Sequence, residues 1–210
     1  MKYKHIVFDL DGTLLDTAQT ALTCLQKVLE EVLDRTVPMT ELEDLFGIPC
    51  LEIAEMYKVP DPEYVVSKWQ EYDAKEKVNV KPFDGVLELL RALDDHGYKL
   101  GLVTSRTQRE IAQQLPMFEM NGLFGAIVGS DDTDRRKPYP DPLEKYMQLA
   151  LATADEVLYI GDSLHDMQCA KSANADFGYA GWGALAVDND PNFDYYFTKP
   201  CEVLSTILGE

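Results

Sequence analysis

A chain of 210 residues, 46% hydrophobic and 27% charged without repeats or biased tracts, can bury the core of one good-sized domain or of a core domain carrying an insertion, which excludes a disordered polymer. Thirty-seven acids against nineteen Lys and Arg give a formal net charge of -18, a field that repels nucleic acid and anionic membranes and excludes nucleic-acid binding as the main task. No apolar stretch is long enough for a signal peptide or a membrane span, and Cys24, Cys50, Cys169 and Cys201 are scattered without metal-ligand spacing; reduced core thiols and a cytoplasmic location are expected.

The first element, HIVFDL (5–10), is a nearly continuous apolar run, the pattern of a strand buried on both faces. It runs into Asp9 and Asp11, two carboxylates two positions apart, beside Gly12 and Thr13. From about residue 17 to 80 the pattern becomes helical, with no convincing strand. Leu22, Leu25, Leu29 and Val32 mark one helix, and Thr40 to Glu43 cap a second that ends at Gly47. Residues 49–57 read as a third helix, and Tyr64, Val65, Trp69 and Tyr72 mark a fourth whose aromatic set is expected to be core. This stretch is expected to be a helical domain, 17–80, inserted into a core made of 1–16 and 81–210, with hinges near Asp16–Thr17 and Asn79–Pro82. The loop Gly47-Ile48-Pro49-Cys50 is either an ordinary helix–helix turn or a segment that reads the substrate.

Strands and helices then alternate. A helix over 84–96 carries Val86, Leu89, Leu90 and Leu93 and stops at Gly97. The strand YKLGLVTS (98–105) follows, then a helix over 107–119 opening on a capping box between Thr107 and Glu110. FGAIVGS (124–130) is a third strand, 141–151 a helix, and VLYIGD (157–162) a fourth strand. FDYYFT and CEVLSTIL read as a closing strand and helix. Such alternation implies right-handed βαβ crossovers, hence an α/β fold: a Rossmann-like parallel sheet core with helices on both faces and the helical cap inserted after the first strand.

Ligands of open parallel sheets bind at the carboxyl ends of the strands. That edge collects Asp9, Asp11, Thr104, Ser105, Lys137, Asp162 and Asp166. Four carboxylates brought together repel one another and protonate unless a cation joins them. Oxygen-only donors call for a hard divalent ion, best matched by Mg²⁺, and with Lys137 it would leave a site able to hold a phosphate.

DLDGTLLDT (9–17), the hydroxyl pair 104–105, KPYPDP (137–142) and GDSLHD (161–166) together resemble the haloacid dehalogenase superfamily, and the helical insertion and KPYPDP are similar to its phosphoglycolate phosphatase and β-phosphoglucomutase branch. The resemblance implies a Mg²⁺-dependent phosphatase that hydrolyses small phosphomonoesters through an aspartyl phosphate, with phosphoglycolate as the default substrate. Asp9 would be the nucleophile and Asp11 the acid and base; Gly12, Thr104, Ser105 and Lys137 would contact the phosphoryl group. Asp9, the Asp11 backbone carbonyl, Asp162 and Asp166 would hold the metal, Asp166 through water or through Lys137. Arg106 departs from the pattern, where relatives often carry Lys, and Asn174 replaces a glycine at a left-handed turn. His165 is assigned no role.

The expected partner is a small phosphorylated metabolite, with no nucleic acid and no membrane, and the chain is expected to be a monomer or a weak homo-oligomer. The rival readings are a phosphomutase of sugar phosphates, a phospho-accepting signalling module, and a binding protein that has lost turnover. Asp11 argues against a dehalogenase.

Overall fold

A computed structural model describes residues 2–43, 45, 48, 50–76, 80–183 and 192–209. The chain divides into two compact units, Met1–Leu15 with Pro82–Glu210, and Asp16–Lys81.

The first unit is built on six parallel strands: β1 (His5–Phe8), β4 (Lys99–Val103), β5 (Ala126–Val128), β6 (Val157–Gly161), β7 (Asp176–Ala180) and β8 (Tyr195–Phe197), in the order β5-β4-β1-β6-β7-β8. Between β1 and β4 in the chain lie the short strands β2 (Leu15–Asp16) and β3 (Lys81–Pro82), which pair with each other. The register sets Val7 opposite Gly101 on one side and Tyr159 on the other. Every residue of β1 and β6 is buried, as nearly unbroken apolar runs require when both faces of a parallel sheet are covered.

The covering helices are α5 (Val86–Asp95), α6 (Gln108–Gln114), α7 (Asp141–Ala150), α8 (Leu164–Ser172) and α9 (Cys201–Leu208). α5 packs on β4, α7 on β4 and β5, and α8 on β6 and β7. α5 buries Val86, Leu89, Leu90 and Leu93, the stripe its sequence spacing marks. α6 opens on the Thr107–Glu110 capping box, and a 3-10 turn, Leu115–Phe118, completes the helical stretch expected to 119. The core joins Val7, Val103, Val128, Leu143, Tyr146, Tyr159 and Phe177.

Two features depart from the sequence expectations. β7 was not anticipated: DFGYA is short and carries Gly178, which weakens the strand signal of the run. The cysteines divide, with Cys24 and Cys169 buried but Cys50 half-buried and Cys201 exposed. Asn174 does take the left-handed conformation, at φ 58°.

The second unit is helical: α1 (Ala18–Leu33), α2 (Met39–Glu43), α3 (Cys50–Met56) and α4 (Pro62–Glu76). α1 turns Leu22, Leu25, Val28 and Leu29 inward against Val37, Leu42, Ile53, Ala54 and Val65. Trp69 packs on this cluster and its Nε1 donates to the Ala21 carbonyl at 3.0 Å. Tyr72 is also partly buried there, but Tyr64, in the first turn of α4, is exposed, so the aromatic set is core only in part. Gly47 and Pro49 of the expected loop, and Asn79 of the expected hinge, lie outside the described residues. No described helix is long and apolar enough to cross a membrane.

Candidate active site

The strand order reverses direction at β1: the chain builds outward through β4 and β5, then crosses back to place β6 on the other flank. A crevice opens at the carboxyl ends of the strands flanking such a point. Asp9 follows β1 directly and Asp162 follows β6, and the Asp9 N–H donates to the Ile160 carbonyl at 2.9 Å, tying the two ends together.

Asp9, Asp162 and Asp166 each present a carboxylate oxygen within 4.8 Å of the others. Lys137 reaches the same place from the loop before α7, its Nζ 3.0 Å from Asp9 Oδ1 and 2.6 Å from Asp166 Oδ1. Lys137 is 6% exposed at its side chain and Asp166 fully enclosed. Asp166 is fixed from three directions. Ser163, the N-cap of α8, donates through its hydroxyl to Oδ2 at 2.5 Å and through its N–H at 3.2 Å, while the Tyr159 hydroxyl lies 2.9 Å from Oδ1. Asp162 accepts from Thr13 Oγ1 at 2.9 Å. Gly12 makes the close approach of that turn possible: its φ is 75°, and a Cβ there would stand 2.2 Å from Asp162 Oδ2.

Burial raises the Asp9 carboxyl to about 7; Lys137 opposes this, while the charges of Asp166 and Asp11 reinforce it. Asp162 is pushed well above the usual carboxylate range by loss of water, then by the charges of Asp166 and Asp9. Burial would lower Lys137, but Asp166 and Asp9 outweigh it and hold the ammonium above its ordinary value. Ionised together, three carboxylates against one ammonium would leave two uncompensated negative charges on oxygen-only donors, so the set fits a hard divalent cation.

Asp11 has a different partner. It lies beyond the last residue of β1, so the alternation of a strand no longer governs it, and its carboxylate is held by Arg106: Nε donates to Oδ2 at 2.5 Å and Nη2 to Oδ1. Its side chain is not one of the three clustered oxygens. Thr104 is buried at the end of β4, its N–H donating to the Val128 carbonyl at 3.0 Å and its hydroxyl accepting from the Arg106 N–H at 3.3 Å. Thr107, not Thr104, is the N-cap of α6. Ser105 is exposed, and so is His165 in the first turn of α8.

Four supporting residues have no role assigned from the sequence, Arg106 among them although it stands out there as a departure from the family pattern. Tyr159 looked like one more apolar strand residue, and Arg106 carried no sign of its partner ninety-five positions earlier. Trp182, whose Nε1 donates to the Thr13 carbonyl at 2.8 Å, gave no signal at all. Ser163 could have been found, because SLHD carries the spacing of a capping box and that box is present.

Comparison with known proteins accords with this geometry. Residues 6–180 match the family of haloacid dehalogenase-like hydrolases. Pyrophosphatase PpaX of Listeria innocua is 28% identical over 213 residues, which span 100% of this chain and 98% of that protein. A solved structure from Lactobacillus plantarum, described as a "putative phosphoglycolate phosphatase", superposes with a TM-score of 0.82 at 25% identity, over 98% of this chain and 99% of the other. A "predicted phosphatase" from Clostridium acetobutylicum gives 0.82 at 25% identity, with 100% of both chains covered. The chain belongs to the haloacid dehalogenase-like hydrolases and is an enzyme of their phosphatase branch.

Proposed function

We propose that the protein is a Mg²⁺-dependent phosphatase that hydrolyses small phosphomonoesters through an aspartyl phosphate on Asp9. The observation that carries this reading is the convergence of Asp9, Asp162 and Asp166 within 4.8 Å around the buried ammonium of Lys137, at the switch point of a parallel sheet. Asp9, Asp162, Asp166 and the Asp11 backbone carbonyl would hold Mg²⁺, which when bound supplies positive charge to the phosphoryl oxygens.

In the first half-reaction an Asp9 carboxylate oxygen attacks phosphorus, the ester P–O bond breaks, and the leaving oxygen takes a proton from Asp11. In the second, water gives its proton to Asp11 and attacks phosphorus; the bond to Asp9 breaks and phosphate leaves. Lys137 stays charged throughout, because Asp166 and Asp9 hold its proton, and it offsets the charge that builds on the equatorial oxygens. The Thr104 hydroxyl, which accepts from the Arg106 N–H at 3.3 Å, keeps its own proton to donate to those oxygens, whereas the Gly12 N–H is committed to the Leu15 carbonyl at 2.9 Å.

The names of the relatives point to small phosphorylated compounds, with phosphoglycolate and pyrophosphate first to be tried. A panel of phosphoglycolate, pyrophosphate, sugar phosphates and nucleotides, assayed for phosphate release, tests the reading. Release is expected with Mg²⁺, reversible loss on chelation, and loss in Asp9→Asn. Undiminished release in that variant overturns the reading, and sugar-phosphate isomerisation without free phosphate assigns a mutase instead.

A further inference from the structure

Asp11 stands apart from the clustered carboxylates although only two positions separate it from Asp9. Both its oxygens are taken up by one guanidinium. A two-point fork fixes the position and the plane of a carboxylate together, which a single ammonium does not. Arg106 is itself tied down at its backbone. Its N–H donates to Thr104 Oγ1 at 3.3 Å and its carbonyl accepts from the Ser130 N–H at 2.8 Å. Gly129 lies so near that a Cβ there would come within 2.8 Å of that carbonyl. The Arg106 side chain is 7% exposed whereas that of Asp11 is 35% exposed, so the guanidinium is enclosed and the carboxylate keeps an open side. An arginine sunk this deep is poorly placed to receive an anion from solvent.

We propose that Arg106 is a positioning residue that sorts the four acids of this edge: it holds the Asp11 carboxylate ready for proton transfer and out of the oxygen set formed by Asp9, Asp162 and Asp166. The inference rests on the reading of Asp11 as the acid and base. Without the fork, a short side chain on a turn beside Asp9 is free to rotate toward any cation held there. A fourth carboxylate in the set would tighten cation binding and leave the leaving oxygen without its proton donor. Loss of Arg106 therefore exchanges turnover for cation affinity.

The test is a double-mutant cycle of Arg106→Met and Asp11→Asn, with Arg106→Lys as a variant that keeps the charge but not the fork. Two quantities are read: kcat on the best phosphomonoester of the panel, and the Mn²⁺ dissociation constant without substrate, by electron paramagnetic resonance. Arg106→Met is expected to lower kcat at least about 10-fold in the wild-type background, since positioned proton transfer contributes about 100-fold or more. In the Asp11→Asn background it is expected to cost less than about 3-fold, because residues that act as one unit are not additive. Mn²⁺ binds more tightly to Arg106→Met and not to the double variant, and Arg106→Lys falls between Arg106→Met and wild type. Losses that multiply around the cycle, with Mn²⁺ affinity unchanged, overturn the proposal. If Asp11→Asn turns over like wild type, the acid–base reading fails by itself; the Mn²⁺ titration then decides, tighter binding supporting the sorting role and unchanged binding ending it.

Discussion

Lys137 sits between two enclosed carboxylates, 3.0 Å from Asp9 and 2.6 Å from Asp166. Removing one partner of a buried pair strands the other charges, at a cost of about 3–5 kcal/mol. Lys137→Met is therefore expected to lower unfolding stability by that order in chelated buffer, measured by urea denaturation, as well as to abolish turnover. Added Mg²⁺ should recover part of the loss, since a ligand that binds only the folded state stabilises it. Equal stability of variant and wild type in chelated buffer would show that the ammonium does not balance the acids. At this scale the acids were legible as types at strand ends, because DLDGT and GDSLHD close apolar runs, whereas Lys137 lies in the loop before α7 and was legible only through KPYPDP. Their partners were not. Tyr159 and Arg106 act through contacts seven and ninety-five positions away, and nothing local in the sequence records a contact of the second kind.

Elements carry the site by where they begin. α6 starts at Thr107, whose side chain accepts from the Glu110 N–H while Glu110 reaches back to the Thr107 N–H at 2.9 Å. That box ends the Thr104–Arg106 loop, the segment that hydrogen-bonds β5 and grips Asp11. Thr107→Ala should cost about 1 kcal/mol, read as a lower urea midpoint at unchanged slope. A changed slope would mean that the loop, and not the cap alone, had been lost. Helices were legible here because spacing and caps are local: the stripe of α5 and the box of α6 fall where the sequence places them. β7 was not legible, because five residues interrupted by Gly178 signal little until β6 and β8 pair with them.

In the whole molecule, one topological fact gives the acids their meaning. The order β5-β4-β1-β6-β7-β8 puts the ends of β1 and β6 side by side, so residues 9 and 162, far apart in the chain, share one crevice. The alternation of strands and helices predicts a parallel sheet, and with it the edge where polar ends collect. It does not predict which strands are neighbours at the centre. The formal charge of -18 is spread over the chain and does not mark the site; the distinguishing feature is that three of the acids are drawn together around a buried lysine. Whether that cluster transfers phosphorus to the protein is decided most directly by acid-quenching the enzyme during turnover and mapping the phosphorylated residue by mass spectrometry. A phosphoryl group is expected on Asp9, formed and lost at rates consistent with kcat; rapid turnover with Asp9 unmodified, or with the label on another side chain, would rule out Asp9 as the nucleophile.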